Sequence, residues 1–163
     1  MAIVSFVVYG EPMGKQRPKH RTIVTGSGKT INQEYTPKKT VNFETLVKTE
    51  YGVQTGNYFF PEGTPLFVLI DYFLTVPQAS KKKTLEMLGH ILRPQKMPDW
   101  DNVGKIICDA LNKVAYKDDK QVVDGRVRKF WSQRPRVVVT ISDQEINFSN
   151  YNVKKEEPHN DSP

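Results

Sequence analysis

The stretch Pro65–Val76, PLFVLIDYFLTV, constrains the fold more than any other part of the chain. Its apolar residues fall on both parities of an extended chain, so a strand built from it needs cover on both faces. Such a strand belongs in the middle of a sheet, and Pro77 stops it. The run is far too short to span a membrane, which takes ~20 apolar residues, and no run in the chain approaches that length.

The other elements are read around this strand. Ala2–Tyr9 (AIVSFVVY) is rich in β-branched residues and reads as a buried first strand. GEPMGKQRPKHR follows as an exposed basic loop, and Ile23–Tyr35 as a hairpin or an irregular excursion with Gly26-Ser27-Gly28 at its tip. Thr36-Pro37 is a helix start, with Phe43, Leu46, Val47 and Tyr51 on one helical face and Gly52 or Gly56 as the stop. Ser80 caps a short helix, Lys81–Leu88, closed by Gly89. Asp101 or Asn102 caps another that runs to about Val114, with an apolar stripe of Val103, Ile106, Ile107, Ala110 and Val114. Two strands close the order, Gln121–Trp131 and Arg136–Ser142. The expectation is an α+β fold: a single domain over residues 1–142, with a mixed β-sheet and helices packed mainly on one face. Residues 143–163 read as a polar, acidic, mobile tail.

Charge separates the two parts. Residues 143–163 hold two Lys against five Asp/Glu, a net of −3, while the whole chain carries +6, so residues 1–142 carry +9. An excess of that size favours a polyanion as partner, nucleic acid first. The single cysteine, Cys108, excludes an internal disulfide framework, and the N-terminus lacks the layout of a signal peptide. Both point to the cytoplasm and to no membrane association.

The chemistry is concentrated in Pro98-Asp99-Trp100-Asp101-Asn102-Val103-Gly104-Lys105, with Asp109 and then Asp118-Asp119 beyond. Asp99 and Asp101 follow a stiff proline, and in extended chain residues two apart point the same way. Two carboxylates so placed are half of a site for a hard cation, since Mg²⁺ takes one or two protein carboxylates and fills its shell with water and phosphate. Lys105 is one helical turn past Asp101, where an ammonium can offset charge on a five-coordinate phosphate. The bland alternative is an Asp101–Lys105–Asp109 ladder of ion pairs on a wet helix face. Asp118-Asp119 sits in a turn that can fold back onto the pair, or is an ordinary acidic turn.

The stretch PDWDNVGKIICDALNKVAYKDDKQV resembles the signature of the RusA family of Holliday junction endonucleases, PDxDNxxKxxxDALN…DDxQV. GEPMGKQRP and EYTPKKT are similar to two further segments of that family, and the resemblance extends over residues 3–141. It implies Mg²⁺, for which Mn²⁺ can substitute, held by Asp99, Asp101 and Asp119, with Asp118 as the alternative third ligand. It also implies that Lys105 is needed for cutting, that the substrate is four-way junction DNA, and that a homodimer makes the paired nicks. Lys15, Arg17, Lys19, Arg21, Arg126 and Arg128 are candidates for holding phosphates, and so are Lys129, Arg134 and Arg136. Trp100 and Trp131 either stack on bases or are buried. A junction binder that has lost catalysis and a less selective flap or fork nuclease are the competing functions.

Three other readings fail on spacing. Gly28-Lys29-Thr30 would need a glycine where Ile23 stands to form a phosphate loop, so no nucleotide cofactor is expected. An EF-hand would need a ligand at Val103. His20, His90 and His159 are too scattered for zinc, and Cys108 has no histidine near it in sequence to activate it.

Overall fold

The computed structural model describes residues 1–147. The apolar run becomes strand β4, Leu66–Thr75, and it is central as expected. It pairs antiparallel with β6 (Arg136–Ser142) on one side and parallel with β5 (Val122–Ser132) on the other. Strand β1 (Ile3–Tyr9) adds antiparallel to the far edge of β6, giving a mixed sheet in the order β1-β6-β4-β5. Helix α1 (Lys38–Thr55) packs on β1, and α3 (Trp100–Leu111) packs on α1 and β5. Helix α2 (Lys81–Leu88) rests against β5. Among the described residues, no helix is long and apolar enough to cross a membrane.

The two parities of β4 meet different cover. Val68, Ile70, Tyr72 and Leu74 enter the main core with Val103, Ile106, Ile107 and Ala110 of α3 and Val47 and Tyr51 of α1. The opposite face carries Leu69, Asp71 and Phe73. There Phe73 stacks on Phe130 at 5.2 Å, and Arg136 and Arg93 lie over these two rings at 3.9 and 3.8 Å. Such cation–ring contacts cover apolar area, while Arg93 Nε donates to the Lys129 carbonyl at 2.6 Å and Arg136 Nη1 to the Arg134 carbonyl at 2.8 Å. The second face is therefore closed by side chains of the sheet and its loops, and the main helices keep to one side.

Asp71 sits within this second face, paired in register with Arg128. Arg128 grips it with two hydrogen bonds, Nε to Oδ1 at 2.5 Å and Nη2 to Oδ2 at 2.6 Å. The side chains are 10% and 20% exposed, so losing one partner strands a charge. Arg128→Met should destabilise the fold by about 3 kcal/mol. In thermal unfolding that is a drop of roughly 6–12 °C. A shift under ~2 °C would mean that Asp71 finds other partners.

Some elements differ from expectation. Strand β1 is an edge strand, and only Phe6 and Val8 are buried in it. Helix α1 begins one residue later than expected, with Pro37 as a cap that makes no side-chain hydrogen bond, and it ends on Gly56 in the left-handed conformation (φ 66°). Leu46, expected on its buried face, is 38% exposed. Helix α3 is capped by Asp99 rather than by Asp101 or Asn102, and it stops at Leu111. The hairpin forms as β2 (Lys19–Val24) and β3 (Thr30–Tyr35), and every residue of both strands is exposed. Just past Ser142, Asp143 exchanges hydrogen bonds with Ala2, and Ile146 is buried. The rest of the acidic tail, 148–163, lies outside the described residues.

Candidate active site

Asp99 is the residue from which the site is built. Its backbone is extended (φ −67°, ψ 146°) and it caps α3, yet its carboxylate makes no capping hydrogen bond. Trp100 already begins the helix, so Asp99 and Asp101 are not alternate residues of one extended segment. They flank the first turn instead, where the helix dipole favours negative charge. The peptide bond before Pro98 is cis.

The basic loop is laid directly on this helix start. The Lys15 amide donates to the Asn102 carbonyl at 2.9 Å. A Cβ on Gly14 would stand 3.0 Å from Pro98 Cβ and 3.1 Å from Asn102 Cβ, so the approach requires glycine or a shift of the loop. Between loop and helix opens a groove of about 770 Å³, lined by Arg17, Lys19, Pro98 and Asp99 among others.

The second acidic segment is positioned by Gln121. Its side chain is buried, and its amide donates to the carbonyls of Pro61 and Thr64 at 3.0 and 3.3 Å. Its oxygen accepts from the Lys117 amide at 3.2 Å. These bonds fasten the 3₁₀ turn Asp119–Gln121 to the loop at Pro61–Thr64, and the turn lies next to α3. Asp118 caps that turn by accepting from the Lys120 amide at 3.0 Å, and Asp119 is left exposed. Burial pushes the Cys108 thiol up to about 11, and the Asp119 and Asp109 carboxylates add to the shift. A thiol so raised is no nucleophile near neutrality.

Partners sort the acids of the motif. Asp109 is held by Lys15 at 3.0 Å, and Lys15 also binds Glu44 of α1 at 2.5 Å. Burial opposes the Lys15 charge, but the two carboxylates outweigh it and its pKa lies above the ordinary value. Asp99, Asp101 and Asp119 have no side-chain hydrogen bond or ion pair among the described residues, and neither does Lys105. The ion-pair ladder along α3 is thus absent: Asp109 pairs across to the loop, and Lys105 is exposed and unpaired. No three side chains of His, Cys, Asp or Glu converge tightly enough to hold a metal ion among the described residues. The donor set is nevertheless all carboxylate oxygen, which suits a hard cation that takes one or two protein ligands.

The candidate phosphate contacts divide in the same way. Arg17 and Lys19 line the groove. Arg21 is exposed on β2, donates to Gln33 Oε1 at 2.6 Å and lies over Tyr35. Arg126 is exposed on edge strand β5, whereas Arg128 is engaged by Asp71. Lys15 is engaged by two acids. Trp131 is buried, and Trp100 is 61% exposed beside Asp99 and Asp101. Gly28 sits at a hairpin tip with no helix after it, so the phosphate-loop reading fails in structure as well.

Sequence reasoning passed over Gly14 and Tyr72, carried Gln121 only as part of the family signature, and gave Lys129 only as a candidate phosphate contact. Nothing in the residue pattern marks Gly14 or Tyr72 or gives the role of Gln121, because these roles depend on contacts between segments distant in sequence. Tyr72 donates through Oη to the Pro98 carbonyl at 2.9 Å, and Lys129 Nζ donates to the same oxygen at 3.1 Å. Burial lowers the Lys129 pKa, and the nearby Asp99 carboxylate works against that shift.

An α+β domain with unpaired acids at a helix start, a free lysine one turn on and a basic groove beside them is equipped to handle a nucleic-acid phosphodiester. The sequence profile of the family Endodeoxyribonuclease RusA matches residues 9–142, and the chain belongs to that family of DNA-cutting, divalent-metal enzymes. It is also similar to "Uncharacterized protein YqaN" of Bacillus subtilis (strain 168), at 35% identity over 149 residues, covering 88% of this chain and 98% of that protein.

If Arg17 contacts a phosphate, Arg17→Ala should lower the log–log salt slope of DNA binding by ~1, since each neutralised phosphate contributes about 0.9 on duplex arms. The measurement is affinity for duplex-armed DNA across a salt series. An unchanged slope returns Arg17 to the solvated surface.

Proposed function

We propose that this protein resolves four-way DNA junctions by metal-dependent hydrolysis of one phosphodiester in each of two opposed strands. The observation that carries the proposal is the set of unpaired groups: Asp99, Asp101, Asp119 and Lys105 are exposed and uncommitted, while Asp109 and Asp118 beside them are taken up in the fold. Carboxylates repel phosphate, so a protein that only binds DNA gains nothing from leaving Asp99 free in the wall of a basic groove, with Asp101 free in the first helical turn after it. A bound cation removes that conflict.

Asp99 and Asp101 at the head of α3, with Asp119 from the adjoining turn, would hold Mg²⁺ or Mn²⁺. The chemistry such an ion would supply at these carboxylates is Lewis acidity toward water and toward the phosphate oxygens. Lys105, a compact ammonium without a partner among the described residues, would offset the negative charge that builds on the phosphate in the transition state. Arg17 and Lys19 hold the backbone entering the groove, and Arg21 and Arg126 extend the contact along the arms. A four-way junction presents two equivalent strands, and a homodimer carries two equivalent sites to match.

The test is cleavage of synthetic four-way junctions, duplex and flap DNA with Mg²⁺, Mn²⁺, Ca²⁺ or excess EDTA. Junction cutting with Mg²⁺ or Mn²⁺, little with Ca²⁺ and none with EDTA is expected, because Ca²⁺ binds with looser geometry. Equal cutting of flaps and junctions would make the enzyme a general branch nuclease, and full cutting in EDTA would remove the metal from the account.

A further inference from the structure

We infer that Tyr72 and Lys129 form a clamp that positions the metal-binding turn, holding the Pro98 carbonyl so that Asp99, which lines the groove, and Asp101 in the helical turn after it keep a fixed direction. The inference rests on the proposed role of those two aspartates. Tyr72 and Lys129 are register partners on the adjacent parallel strands β4 and β5. Both side chains project to the face covered by α3, and Lys129 Nζ lies 5.6 Å from the centre of the Tyr72 ring. Both donate to one oxygen, that of the residue immediately before Asp99. Lys129 reaches a second carbonyl of the same loop, Lys96, at 2.5 Å.

A buried tyrosine needs an acceptor, and the Pro98 oxygen would satisfy Tyr72 alone. That leaves unexplained why a lysine with an ordinary exposed alternative turns inward onto two backbone oxygens. An ammonium offers three donors, and two of them here fasten the loop at Lys96 and at Pro98. Strand β4, which supplies one of the two donors, is paired on both sides within the sheet. The Asp99 carboxylate makes no capping bond of its own to fix it, so the fastening of its neighbour's carbonyl takes over that task. Groups that orient metal ligands in this way typically affect metal affinity by ~10–100-fold when removed.

The variants are Lys129→Met, which keeps the stem and loses the donors, Tyr72→Phe, which loses one hydroxyl, and Lys129→Arg as the conservative control. Two readouts apply. The first is hydrogen exchange at the amides of residues 99–103 in the metal-free, DNA-free protein, which needs no activity. The second is the Mg²⁺ concentration giving half-maximal junction cutting, with Mn²⁺ binding to the DNA-free protein measured by electron paramagnetic resonance. Lys129→Met should speed exchange in 99–103 selectively and raise the half-saturating Mg²⁺ by ~10-fold or more, with cutting restored at high Mg²⁺. Tyr72→Phe should do the same more weakly, and Lys129→Arg should recover most of both readouts.

Unchanged exchange in Lys129→Met overturns the clamp, whatever the activity. Faster exchange without any change in metal dependence makes the pair purely structural and also overturns the inference. A loss of cutting that high Mg²⁺ does not restore would place Lys129 on the phosphate rather than on the loop. If the wild-type protein neither binds Mn²⁺ nor cuts junctions, the nuclease reading fails, and faster exchange would not then rescue the link to a metal.

Discussion

Asp101→Asn should bind four-way junctions at least as tightly as the wild-type protein and should not cut them. Asp101 lies in the first turn of α3, exposed and without a partner, so its removal costs the fold no ion pair or hydrogen bond. Asparagine is isosteric and keeps one oxygen, but it lacks the charge that a hard cation requires of its few protein ligands. Losing the ion removes an activated water and a charge sink together, so the loss should exceed the roughly 10²–10³-fold seen when one electrostatic donor is deleted. Binding should improve because one negative charge facing the DNA backbone has gone. Asp99→Asn should behave in the same way. Gel-shift titration in EDTA and single-turnover cleavage in Mg²⁺ separate the two effects. Cutting at the wild-type rate by either variant removes that residue from the metal site.

Lys105→Ala is the second large effect, and two roles predict different magnitudes for it. As a member of an ion-pair ladder on α3, Lys105 would stabilise the helix by only ~0.2–0.5 kcal/mol and leave cutting nearly intact. The structure removes that role, since Asp109 pairs with Lys15 and no carboxylate among the described residues pairs with Lys105. As a positive charge opposite the transition state, it should matter by about 2.7–4 kcal/mol, or ~10²–10³ in rate. Lys105→Ala should therefore fold, bind junctions and cut at least ~100-fold more slowly. Lys105→Arg should recover little, because a planar guanidinium does not substitute for a compact ammonium in a tight site. The readout is the single-turnover rate at saturating Mg²⁺. Near-normal cutting would leave the chemistry to the aspartates alone.

Much of this was legible in the chain before its structure. The two-sided apolar run of β4 announced a central strand, and the alternation of turns and periodic stretches fixed a mixed α+β order around it. The acidic motif identified α3 and the turn after it, because five acids and a lysine at short spacings interrupt an otherwise apolar helix pattern. What sequence left open was which acids are free. Asp109 and Lys105 share a helix face, and the pattern alone favours pairing them. The competing partner, Lys15, lies in a loop nearly a hundred residues away, and only the fold brings it to Asp109. The resemblance put Asp119 before Asp118 but left the second open, and the turn geometry engages Asp118 as a cap. Arg128 looked like a surface cation for the same reason, since its acid, Asp71, sits on a different strand.

The claim that these sites act in pairs on a junction is tested most directly with a supercoiled plasmid that extrudes a cruciform. A single nick releases the supercoiling, and the cruciform is reabsorbed before a second, independent event can occur. Linear plasmid therefore appears only when both strands are cut within one bound complex. The account predicts linear product in Mg²⁺ with little nicked circle accumulating, and neither product from Asp101→Asn. Nicked circles as the sole product would contradict paired resolution and leave a nuclease that cuts one strand at a time.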